Sequence, residues 1–93
     1  MYRDDPLDDE AELREVVGDA PVDALLDEGG LEALLRALDA LRLLQGWVDA
    51  EACGAWLTRP QRRLGDRAPL VALAQGDVEE VADALRTYVS AQS

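Results

Sequence analysis

The chain has 93 residues, 20 of them acidic and nine basic, for a formal charge of -11, which excludes the long-range attraction that steers nonspecific binders onto nucleic acid. It has no His and a single Cys, so it offers no internal disulfide, no Cys/His zinc or iron site and no His-activated nucleophile. All nine basic residues are Arg, which removes Schiff-base and Walker-type lysines as well.

These absences predict a chain that is not an enzyme and that carries no cofactor or metal. With no Phe, two Trp and two Tyr, the core must come mainly from Leu, Val and Ala. A single domain of this size buries only about 60% of its unfolded surface. A homo-oligomer or hetero-complex is therefore expected to supply part of its stability. No apolar run approaches the ~20 residues of a membrane span, and none follows a basic start as in a signal peptide. A cytoplasmic location with no membrane contact is expected.

Val, Ile and Thr are sparse, while apolar residues recur at steps of three and four, which predicts an all-α fold, a small compact bundle of about five to six short helices. The opening MYRDDPLDDE reads as a solvated, charge-dense tail, without the regular ligand spacing and turn Gly of a calcium loop. Asp8 or Asp9 is placed to cap a short helix with Leu13, Val16 and Val17 on one side, ended by Gly18. Pro21 opens a second short helix, with Val22, Leu25 and Leu26 on one face and Gly29-Gly30 as a break. Residues 1–30 thus read as an acidic tail with short N-terminal helices, and residues 31–93 as the helical binding domain.

From Leu31 to Gln45, Leu31, Leu34, Leu35, Leu38, Leu41 and Leu44 form one broad stripe, with Glu32, Arg36 and Asp39 opposite. Leu43 sits on the polar side, either covered by the N-terminal helices or part of a partner surface. Gly46 ends this helix. Asp49 caps the next one, in which Ala52, Trp56 and Leu57 face inward before Pro60 stops it, and Cys53 reads as a small buried hydrophobe. Pro69 starts a helix with Leu70 and Leu73 inward, and Gly76 closes it in a left-handed conformation. Asp77 then caps the last helix, which carries Val78, Val81, Ala82, Leu85, Tyr88 and Val89 on one face and Glu80 at the capping-box position.

Two constellations invite a chemical reading. PVDALLDEGGLEALLRAL has the outline of a helix-turn-helix, yet its second helix would bring Leu31, Glu32 and Ala33 to the bases, and residues 1–45 hold 13 acidic and four basic residues. Nucleic acid is not an expected partner. Glu79 and Glu80 are adjacent carboxylates in a first helical turn, where they point apart and favour the positive end of the dipole, so they are not read as an acid/base pair.

The stretch WLTRPQRRLGDRAPL sets Arg59, Arg62, Arg63 and Arg67 within nine residues. The four guanidinium groups either project into solvent or toward local carboxylates such as Asp66, or they contact a protein partner, where Arg is enriched among binding hot spots. Pro60 and Pro69 stop and start helices, Gly65 permits a tight turn, and Trp56 fills the gap between them.

Jointly, Trp56-Leu57, Pro60, Leu64-Gly65, Pro69-Leu70, Gly76, Val81 and Leu85 resemble the C-terminal toxin-binding domain of the Xre/MbcA/ParS type of bacterial antitoxin. The resemblance begins loosely at Leu31 and tightens over Ala55 to Val89. It implies a cytoplasmic bacterial protein of a type II toxin-antitoxin system, which neutralises a RES-domain, NAD-consuming toxin by binding and occluding its active site. It also implies that Arg86, Tyr88, Val89, Gln92 and Ser93 approach the toxin, although Tyr88 and Val89 equally suit core packing. Family members commonly carry a helix-turn-helix domain ahead of this part, and the acidic residues before Leu31 do not resemble one, so autoregulation through DNA is not expected. The alternative is a stand-alone helical protein-protein interaction module, as a homodimer without a toxin.

Overall fold

Pro6 opens the first helix, α1 (Pro6–Val17), in the computed structural model, which describes residues 6–92. The helix starts before the expected Asp8 or Asp9 because Pro at the first position has its φ already set and lacks only an N–H that would be unpaired there. Residues 6–10 are therefore helical rather than tail; the residues before them lie outside the described part. Gly18, at φ 95°, ends α1, its N–H donating to the Arg14 carbonyl at 2.8 Å.

Helix α2 (Asp19–Gln45) is two limbs joined at Gly30, which sits at φ 72°, ψ -165°. The Gly-Gly pair divides the work. Gly30 supplies the left-handed backbone, while a Cβ on Gly29 would lie 2.8 Å from the Ala74 Cα, so that glycine lets the break close onto a later helix. The remaining elements are α3 (Ala50–Thr58), a single 3-10 turn (Arg62–Leu64), α4 (Pro69–Ala74) and α5 (Val78–Gln92), with no strand among the described residues.

Helix α2 is the hub, packed against α1, α3, α4 and α5. Its buried face is Leu34, Leu38, Leu41 and Leu44 with Ala33, Ala37 and Ala40 between them. The small alanines allow close approach of the neighbouring helices, which turns the core-facing stripe toward them. Two leucines expected in that stripe fall at its edge instead: Leu31 is 61% exposed and Leu35 46%. Leu43 lies on the far side at 44% exposure, so the N-terminal helices do not cover it.

Leu13, Val22 and Leu25, from the N-terminal helices, belong to the same buried cluster as Trp56, Leu57, Leu64, Leu70, Val81 and Leu85. Each such side chain contributes about 1.5–3 kcal/mol through removal from water. The end of α1 rests on the backbone of α3. A Cβ on the buried Gly54 would meet the Val16 carbonyl oxygen at 2.3 Å. Arg14 fastens the start of α2 to α1, with guanidinium nitrogens 3.0 Å from both Glu10 and Asp23 and 3.3 Å from Asp19.

Candidate partner-binding surface

The surface is set by how α3 ends. Asp49 caps its start, accepting the Ala52 N–H at 2.9 Å. At its other end Arg59 is extended, as the residue before a proline must be, and the Gln61 side-chain amide donates to the Trp56 and Arg59 carbonyls, both at 3.3 Å. Those carbonyls would otherwise lack helical partners. Gln61 had no signal in the periodicity, because its role depends on the chain doubling back beside α3.

The chain then closes on itself. The Gln61 N–H donates to the Arg67 carbonyl at 3.0 Å and the Asp66 N–H to the Gln61 carbonyl at 2.9 Å. Gly65 and Asp66 are both left-handed, at φ 67° and 64°. A glycine at the first of these removes one steric penalty; Asp is among the few residues that tolerate the second. Leu64 plugs the turn into the core, fully buried.

The four arginines separate. Arg67 turns inward: Nε donates to the Leu64 carbonyl at 2.7 Å, and Nη1 lies 2.6 Å from Asp77 Oδ2 and 2.5 Å from Gln75 Oε1. It is a strap within the fold, so of the four arginines it is the one already engaged by the chain's own groups. The reason is the αL turn, which aims residue 67 at the α4–α5 junction. Arg59, Arg62 and Arg63 are exposed, and none has a carboxylate or hydrogen-bonded side-chain partner among the described residues; the expected pairing with Asp66 does not form.

Beside Arg59 lies a cleft of about 410 Å³ between α3 and α5, walled by Trp56, Arg59, Pro60, Gln61 and Tyr88, with Arg62 and Arg63 on the turn that follows. The Trp56 and Tyr88 rings are 5.7 Å apart, tilted by 36°. Trp56 is almost fully buried, so little of it reaches the cleft, whereas Tyr88 is half-buried and packs against the core. Val89 is also half-buried against the core. Gln92 donates to the Tyr88 carbonyl at 3.3 Å. Arg86 pairs with Asp83 and lies roughly 160° around the helix from Tyr88, so the residues expected to meet a partner do not form one continuous patch. Ser93 lies outside the described residues.

Cys53 is buried, its thiol facing the Val48 carbonyl at 3.8 Å; burial, with the nearby Asp49 charge, pushes its pKa above the ordinary value. That holds it in the unreactive thiol form. No three His, Cys, Asp or Glu residues among those described are grouped to hold a metal. Among the same residues, no helix is long and apolar enough to cross a membrane. No family model, curated protein or solved structure matches the chain.

Proposed function

We propose that this chain is a cytoplasmic bacterial antitoxin that binds a RES-type, NAD-consuming toxin and occludes its active site, performing no chemistry itself. One observation carries the reading. Trp56, Leu57, Leu64, Leu70, Val81 and Leu85 are all buried in one cluster, and Pro60, Gly65, Pro69 and Gly76 stand at successive changes of chain direction. The residues that carry the antitoxin resemblance thus work as a unit, and the identity of the partner follows from that resemblance. The binding face is taken as the end of α3, Arg59, Arg62 and Arg63, and the Tyr88 side of α5 with Gln92 and Ser93.

Co-expression tests it. If a RES-domain toxin is encoded beside this gene, the chain should restore growth and cellular NAD when co-expressed with it and should co-purify with it; a toxin that stays active and fails to co-purify would remove the reading. A second reading, a homodimeric interaction module, is favoured by Leu31, Leu35, Leu43 and Trp47, which all stand exposed on or just after α2. Light scattering on the isolated chain separates the two, since the first requires a complex with the toxin and the second a stable dimer alone.

A further inference from the structure

Among the described arginines, Arg14, Arg42, Arg67 and Arg86 each have a carboxylate partner, whereas Arg36, Arg59, Arg62 and Arg63 have none, and three of these four fall within five residues of chain. The first of the three also lines the apolar cleft beside Trp56 and Tyr88. We infer that this cleft and arginine trio form a receptor for an acidic segment of a protein partner, which sets an aliphatic side chain against Trp56 and Tyr88 and carboxylates on Arg59, Arg62 and Arg63. The inference rests on the protein-binding reading of the same face and adds the chemistry of what it takes.

Two arguments select the occupant. Guanidinium groups match carboxylates bidentately, and the cleft wall of Trp56, Pro60 and Tyr88 needs apolar surface, which inorganic anions lack. Range decides between a peptide and a nucleic acid. At 0.1 M salt charges are screened beyond about 10 Å, and the molecule is 36 × 30 × 20 Å, so a short segment on the trio meets less of the chain's acidic surface than an extended polyanion would. A DNA duplex carries a charge every ~1.7 Å and would continue from the trio across that acidic surface.

The test uses the whole chain with Trp47→Phe, which leaves Trp56 as the only tryptophan and therefore a reporter in the cleft wall. Four probes are titrated: a short peptide of repeating Glu-Glu-Leu-Leu units, its Gln-Gln-Leu-Leu analogue, inorganic phosphate and a short DNA duplex. The acidic peptide should change Trp56 emission saturably, and the effect should weaken by about tenfold or more both for the Gln analogue and in the triple variant Arg59→Gln, Arg62→Gln, Arg63→Gln. The triple variant should keep its melting temperature, since these exposed side chains make no hydrogen bond or ion pair among the described residues. A peptide that does not saturate, an unchanged affinity in the triple variant, or binding of phosphate or DNA as tight as the peptide overturns the inference. No toxin is involved, so the outcomes separate. Toxin binding by a chain whose cleft ignores the acidic peptide sinks this inference alone, and a working cleft without any toxin complex sinks only the antitoxin reading.

Discussion

Arg67 Nη1 and Asp77 Oδ2 are 2.6 Å apart, which ties the turn after α3 to the start of α5 across ten residues of chain. The same guanidinium holds the Leu64 carbonyl and the Gln75 amide oxygen, so one side chain fixes both ends of α4. Arg67→Ala leaves these acceptors without their donor and should cost about 1.5–3 kcal/mol. Arg67→Lys should recover only part of this, because an ammonium lacks the planar fork. Urea denaturation of the two variants measures the difference, and equal stability of Arg67→Lys and wild type would contradict the strap.

Two glycines should respond to alanine for different reasons. At Gly54 the new Cβ would stand 2.3 Å from the Val16 carbonyl oxygen, so α1 must move away from α3; overpacking of this kind costs about 1–3 kcal/mol. At Gly65 nothing lies within 4 Å, and the cost is the left-handed backbone alone, about 1–2 kcal/mol. Hydrogen exchange distinguishes them, since Gly54→Ala should loosen α1 and Gly65→Ala should loosen the turn while leaving α1 protected.

The rotated stripe of α2 can be read from paired substitutions. Leu34→Ala, at a buried site, should cost about 2–5 kcal/mol, whereas Leu31→Gln and Leu35→Gln, at exposed sites, should stay within about 0.5 kcal/mol. Thermal melts of the three variants test it. A large loss from Leu35→Gln in a monomer would place that residue inside the core after all.

Because burial raises the Cys53 pKa above its ordinary value of 9.0, the folded chain holds the thiol proton more tightly than the unfolded chain does. The associated stability is complete below about pH 9 and is lost as pH rises above it through the folded value. Cys53→Ala, which has no proton to lose there, should show a flatter fall in stability over that alkaline range. The native thiol should also react with an aromatic disulfide only at the rate at which the fold opens. Fast labelling at neutral pH would contradict the buried position.

Local chemistry was legible in the sequence. The Gly29-Gly30 break, the cap at Asp49, the stop at Pro60, the start at Pro69 and the left-handed Gly76 are positions where the residue itself restricts or frees the backbone, and each stands where that restriction predicts. The all-α class followed from spacing for the same reason, since periodicity is a property of neighbours along the chain. What the residues could not specify alone was direction in space. Leu31 and Leu35 satisfy a helical stripe as well as Leu34 does, and only the approach of α1, α3 and α4 decides which side of α2 loses its water. Likewise Arg59, Arg62, Arg63 and Arg67 are chemically equivalent in the sequence. Tertiary closure of the turn aims Arg67 at Asp77, just before α5 and ten residues away, rather than at the adjacent Asp66, and leaves the other three in solvent.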